Sequence, residues 1–307
     1  MVRVSGHVPR FDIPPPPQRV AQPRASARTV ATPHPKGVDG GTNATAALQG
    51  VIMDFTAKTA LVTGATSGIG QATALAFARA GGDVVLAGRN VDSLDAVAQE
   101  VRALGRRATP VPTDLTRTAD RRRLIDAAVA EHDGIDLLVN AAGVIATGTV
   151  ETTALEDFEA MFALNTTAVF HLMQLALPSL KARQGAVVNV SSVTGVRAFP
   201  GVLSYCASKA ALDQLTRCTA LELAEHGIRV NAVNPGVVVT ELHRRGGMDA
   251  ERYAAFLAHS CTTHPLGRVG QADEVARLIL FLGSSEAGWI TGVTMPVDGG
   301  RHLTCAR

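Results

Sequence analysis

Thr63-Gly64-Ala65-Thr66-Ser67-Gly68-Ile69-Gly70 is the stretch whose reading decides the fold. It follows the short apolar run Ala60-Leu61-Val62-Thr63 and opens a helical spacing that extends over residues 69–80. Gly64 can turn tightly off a strand. Gly68 lets the backbone approach a pyrophosphate, and Gly70 lets the helix lie close to a sheet. The helix N-terminus then offers free N–H groups and the positive end of its dipole to phosphates. Glycines also cap ordinary turns, but between a strand and a helix this pattern reads as a nucleotide site. Its candidate contacts are Gly64, Thr66, Ser67, Gly68, Ile69 and Gly70.

Outward from this turn, apolar runs and helical spacings alternate. Strands are predicted at 60–63, 84–87, 108–111, 136–139, 186–190, 229–233 and 292–297. Helices are predicted at 69–80, 94–104, about 121–130, about 157–182 and 205–225, the fourth broken or bent before Pro178. Continuous apolar strands are those of a parallel sheet covered on both faces. Strands alternating with helices imply right-handed crossovers. The fold class is therefore α/β, a Rossmann-type doubly wound sheet of seven parallel strands in a single domain.

The 307 residues suffice for one large domain of this kind, and 46% hydrophobic with 18% charged residues fits a soluble globular protein. A net charge of +2 excludes a chain built as a polyanion binder. Arg121-Arg122-Arg123 reads as a solvated helix face, and no nucleic-acid partner is expected. No apolar run reaches the roughly 18 residues of a membrane helix, so no membrane partner is expected either. Cys206, Cys218, Cys261 and Cys305 form no C-x-x-C pair. Reduced thiols and a cytoplasmic location follow as expectations. His243, His259 and His264 lack the i, i+4 spacing of a helical zinc site, so no metal is expected.

Residues 1–52 differ from the rest. Pro14-Pro15-Pro16-Pro17 and scattered prolines interrupt any helix, and apolar periodicity is missing. This extension is expected to be disordered, with the catalytic domain at 53–307. Its arginine bias is shared by transit peptides; a functional start at Met53 is the plainer reading.

The second strand selects the dinucleotide. An NAD site places an acid about 20 residues beyond the glycines, to hold the ribose 2′-hydroxyl. Here that place reads Ala87-Gly88-Arg89-Asn90. Arg89 can pair with a 2′-phosphate, so NADP(H) is expected over NAD(H).

With these elements in place the sequence resembles the short-chain dehydrogenase/reductase family, over residues 55–300. The glycines have its T-G-x-x-x-G-x-G form. Asn140-Ala141-Ala142-Gly143, Asn165, Ser192, Tyr205-x-x-x-Lys209, Asn234-Pro235-Gly236 and Asp298-Gly299-Gly300 follow in the family's order. The resemblance implies that Tyr205 is the general acid in reduction and the base in oxidation. Lys209 would lower the tyrosine pKa and hold the nicotinamide ribose. Ser192 would position the substrate oxygen, and Asn165 a water that relays protons. Asp114 would contact adenine, Asn140 and Gly143 the adenosine half, and Thr240, after Pro235-Gly236, the carboxamide or phosphates. The resemblance also implies a homo-oligomer, a tetramer or dimer.

Residues 241–267 would fold over the substrate in this family. Met248, Tyr253, Phe256 and Leu257, with Val144, Ile145, Val193, Val196 and Phe199 in other loops, suggest an apolar lining. This suits an acyl chain, a ring ketone or a hydrophobic alcohol. Among functional look-alikes, 3-oxoacyl-carrier-protein reductases meet an acidic carrier with basic residues. Arg183 occupies one such place and His226 the other. Alcohol, sugar and steroid dehydrogenases share the same catalytic set, and a non-catalytic NADP(H)-sensing protein is the reading from another class.

Overall fold

The computed structural model describes residues 53–304. The expectation of disorder over 1–52, and Cys305, lie outside the described residues.

Seven strands form one sheet: β1 (Thr59–Thr63), β2 (Asp83–Gly88), β3 (Ala108–Pro112), β4 (Leu137–Asn140), β5 (Ala186–Val190), β6 (Arg229–Pro235) and β7 (Thr294–Val297). Their order is β3-β2-β1-β4-β5-β6-β7 and every pair is parallel. The continuous apolar runs exist because both faces are covered. On one face Val62, Val84, Val139 and Val188 pack under α1 (Gly68–Arg79), α2 (Val91–Ala103) and α10 (Ala272–Gly283). On the other, Leu61, Val85, Leu138 and Val187 pack under α3 (Thr118–His132), α5 (Ala168–Arg183) and α7 (Leu203–Leu223). The order reverses between β1 and β4, which opens a crevice at the carboxyl ends of the strands.

Two local expectations are corrected. The predicted helix 157–182 is not broken at Pro178. It consists of α4 (Leu155–Phe162), a π turn (Ala163–Thr167) and α5, which runs through Pro178. Within the π turn the Ala168 N–H donates to the Ala163 carbonyl, five residues back. This whole helical run has the length and apolarity of a membrane span. In the fold its α5 part packs Leu172, Ala176 and Leu180 into the core instead.

Arg121 is not solvated either. It is buried, donating from Nε to His171 Nδ1 at 2.8 Å, from Nη1 to the Leu115 carbonyl and from Nη2 to Thr118. The neighbouring Arg122 and Arg123 are exposed.

Candidate active site

A cavity of about 810 Å³ occupies the crevice. Beneath it the buried Thr63 hydroxyl accepts the N–H groups of Ala141 (3.0 Å) and Ala142 (3.1 Å), joining the end of β1 to the end of β4. Gly64 sits at φ +66° against Ala142, and a Cβ on Gly70 would overlap the Gly64 carbonyl oxygen. The turn is therefore closed by backbone on both sides, with no room for larger residues. Gly64, Thr66, Ser67, Gly68, Ile69 and Gly70 all line the cavity, and α1 begins at Gly68 with its N–H groups facing that end. This glycine cradle at a helix start fits the pyrophosphate of a dinucleotide.

Arg89 follows β2 and is exposed at the same end of the cavity. Asp114 follows β3. Its Oδ1 accepts from Thr116 Oγ1 (2.7 Å) and from the Thr116 N–H (3.0 Å). These bonds, with a smaller contribution from the charge of Arg89, hold its carboxyl below the usual range.

Tyr205 lies in the first turn of α7 and is 6% exposed. Burial pushes its phenol up to about 12, against the opposing effect of the nearby Ser192 hydroxyl. Lys209 lies one turn further on, its Nζ 5.8 Å from the Tyr205 ring centroid. It donates to the Val190 carbonyl at 2.8 Å. Burial pushes Lys209 down to about 8, opposed by the charge of Asp213. The expected lowering of the tyrosine pKa by Lys209 is thus not what this environment produces. The phenolate loses water on burial, and burial also disfavours the charged form of Lys209.

Ser192 ends the loop after β5 as the N-cap of α6 (Val193–Val196). Its carbonyl accepts from Asn234 Nδ2 at 2.8 Å, and the same Nδ2 lies 2.8 Å from Asp213 Oδ2. Asp213 is one turn beyond Lys209 on α7. The sequence reading passed over it, although its i+4 spacing from Lys209 places it on the face that carries Tyr205.

Two of the expected site residues do not line the cavity. Asn140 is 1% exposed and donates to Asn189 Oδ1 at 2.9 Å, while Asn189 donates to Thr216 Oγ1 at 2.9 Å. Its carboxamide belongs to a buried chain behind the site. Asn165, in the π turn, is fully buried. Its Oδ1 accepts the Val144 N–H and its Nδ2 donates to the Val144 carbonyl, each at 3.0 Å; Nδ2 also reaches Ser208 Oγ at 3.1 Å. The side chain clasps the loop after β4, so it positions Gly143 and Val144 from behind. Gly143, Ser192, Tyr205, Lys209, Pro235, Gly236 and Thr240 line the cavity.

The covering segment comprises α8 (Leu242–Arg245) and α9 (Ala250–Thr263). Tyr253 Oη donates to the Thr240 carbonyl at 2.9 Å and accepts its N–H at 3.2 Å. The His264 ring is buried: Nδ1 lies 2.7 Å from the Ser260 carbonyl, and Nε2 accepts the Val237 N–H at 3.1 Å. That geometry puts the proton on Nδ1. Both residues tie the cover to the turn after β6, a role without sequence signal because the partners are backbone atoms of another segment. His243 packs its ring on Phe256 at 4.6 Å. Among the described residues no three His, Cys, Asp or Glu side chains gather as a metal site.

Comparison with known proteins places this site among relatives. The sequence model of the family described as "Enoyl-(Acyl carrier protein) reductase" matches residues 64–302. The 3-oxoacyl-[acyl-carrier-protein] reductase FabG of Thermotoga maritima is 36% identical over 81% of this chain and 99% of its own length. The 2,5-dichloro-2,5-cyclohexadiene-1,4-diol dehydrogenase LinX of Sphingobium indicum is 37% identical over 79% of this chain and 95% of its own. A short-chain dehydrogenase/reductase from Caenorhabditis elegans, solved with cofactor, superposes with a TM-score of 0.78 at 34% identity, covering 82% of this chain and 97% of that one.

Proposed function

The chain belongs to the short-chain dehydrogenase/reductase family and is an NAD(P)-dependent oxidoreductase of alcohol and carbonyl groups; we propose that it uses NADP(H), with Tyr205 as the proton donor or acceptor. One observation carries this reading. Tyr205, Ser192 and Lys209 stand together on one wall of the cavity whose other end is the glycine cradle. When bound, the nicotinamide supplies or accepts the hydride. The chain's own residues handle the rest. Ser192 holds the substrate oxygen beside the phenol. Tyr205, kept protonated by burial, gives its proton to that oxygen in reduction. Lys209 stands behind it as the next cation. Asn165 and Asn234 fix the loops that frame the reacting atoms. Thr66, Ser67 and Ile69 line the phosphate cradle, with Asp114 and Gly143 along the adenosine side.

The preference for NADP(H) rests on Arg89, a guanidinium at the cavity end where an NAD site would hold a carboxylate. Arg89→Ala should weaken NADPH binding about tenfold or more and leave NADH nearly unchanged; equal effects would contradict the preference.

The substrate class is a carbonyl compound or secondary alcohol of small size, a 3-oxoacyl thioester among them. Docking of an acidic carrier protein is the weaker form of this reading. Arg183 already donates to the Asp133 carbonyl at 2.7 Å, and His226 lies 3.6 Å from Glu225. Tyr205→Phe should lower kcat by roughly a hundred- to ten-thousandfold with NADPH binding retained. Undiminished turnover would end the mechanism. NADPH binding with no turnover of any ketone, aldehyde or acetoacetyl thioester would favour a sensing protein instead. A homo-oligomer is part of the same proposal: Leu221 is 82% and Trp289 fully exposed.

A further inference from the structure

The charges of the cavity do not balance at one end. Among the described residues that line it, Asp114 is the single carboxylate, and it lies at the end held by Arg89. The lining cations are Arg89, Lys209, Arg245, Arg252 and Arg301. Arg245 donates to the Ser67 hydroxyl and so belongs with Arg89 at the phosphate cradle. Lys209 serves the Val190 carbonyl beside Tyr205, and Arg252 pairs with Asp249 at 3.5 Å. Arg301 has no carboxylate partner among the described residues.

Its position is built. Asp298, 5% exposed, accepts the N–H groups of Gly300 (3.0 Å) and His302 (2.7 Å) and pairs with the His302 ring at 2.9 Å. This fixes the turn that presents Arg301 while committing the one nearby carboxylate to His302. Arg197 donates to the Arg301 and His302 carbonyls at 3.1 and 3.3 Å. Both guanidinium groups then lie over the ring of Phe199, Arg301 at 5.2 Å and Arg197 at 6.0 Å from its centroid. Arg301 Nη1 is held by the Thr263 carbonyl and Thr304, each at 3.3 Å. Its Nη2 and Nε make no hydrogen bond to a described residue. Burial, then the charge of Arg197, disfavours the Arg301 cation, and the charge of Asp298 offsets only part of this. Two like charges on one ring repel, and an anion between them and solvent would offset that cost.

Phe199, Thr263 and Arg301 line the same cavity as Ser192 and Tyr205. We propose that Arg301, backed by Arg197, is an anion subsite, and that the substrate carries an oxyacid group at the end remote from its reacting carbonyl or hydroxyl. This rests on the reading of Tyr205 and Ser192 as the reacting end. A planar guanidinium matches a carboxylate edge with two parallel N–H donors.

The test uses oxo acids of graded length, each beside its methyl ester, with NADPH: 3-oxobutanoate, 4-oxopentanoate, 5-oxohexanoate and 4-formylbenzoate. The corresponding aryl sulfonate and aryl phosphate aldehydes extend the series to other oxyacids. Wild-type protein should prefer at least one acid to its neutral counterpart by about tenfold or more in kcat/KM, the loss expected for a charge-assisted pair. Arg301→Gln should abolish that preference while ester turnover and NADPH binding stay unchanged, and Arg301→Lys should keep part of it. No acid preference at any length overturns the proposal, as does a parallel fall for acid and ester in Arg301→Gln. Calorimetric titration of the same acids separates the two readings. Acid binding that depends on Arg301 without any reduction keeps the subsite and ends the oxidoreductase mechanism; ester reduction without acid discrimination does the reverse.

Discussion

Burial acts on Tyr205 and Lys209 in opposite senses. It raises the phenol to about 12 and lowers the ammonium to about 8, because in each case the charged form loses water. Across the neutral and mildly basic range the phenol therefore stays protonated, the form that donates in reduction. The ammonium is present below pH 8 and is lost above it. Under the proposed mechanism kcat/KM for reduction should be level below about pH 8 and fall about tenfold per pH unit above it. The oxidation rate should rise with pH, since the phenol must shed its proton. A reduction profile flat to pH 9.5, or the same decline in Lys209→Ala, would remove Lys209 from the proton path. The sequence showed that these two side chains share a helix face. It could not show which way their pKa values move, because that depends on the loops and strands packed around them.

The decisive element is the strand–turn–helix at the cradle. Gly70→Ala would push a methyl group into the Gly64 carbonyl. Overpacking of this kind costs about 1–3 kcal/mol, so the variant should unfold at lower denaturant and bind NADPH at least tenfold more weakly. Unchanged affinity would mean that the turn does not hold the phosphates. The π turn makes a second case. Asn165→Leu removes the side-chain partner of the Val144 N–H and carbonyl, two part-buried bonds, a loss of about 1 kcal/mol. Urea denaturation should show it, and turnover should fall with it. Helical spacing made the run from about 157 to 182 legible as helix, and Pro178 looked like its weak point. The irregular turn falls instead at Asn165. There the polar side chain is drawn off the helix to satisfy a loop that sequence spacing does not bring near.

At the scale of the whole molecule, exposed apolar side chains point to association. Leu221 on α7 and Trp289 before β7 leave large surfaces bare in a single chain. Light scattering at micromolar concentration should give a mass above that of one chain, and Leu221→Glu should shift it down. A wild-type monomer would rule out the oligomer. The buried polar chain from Asn140 through Asn189 to Thr216 also belongs to this scale, since it runs across the sheet and into α7. The family resemblance implies a cofactor contact for Asn140, at the end of β4. Its side chain turns inward, where a polar partner was already waiting on the neighbouring strand.

The sequence by itself determined the α/β order, the cradle, and the helix face shared by Tyr205 and Lys209. Each is set by local periodicity, or by glycine where no Cβ fits. Tertiary structure alone decided that Asn140 and Asn165 brace the cavity from behind rather than line it. It also decided that Tyr253 and His264 tie down the cover, and that Arg301 meets Phe199 over a hundred residues away in the chain. Those outcomes depend on which buried polar groups find partners and which charges are left without one, and such pairing exists only once distant segments have come together.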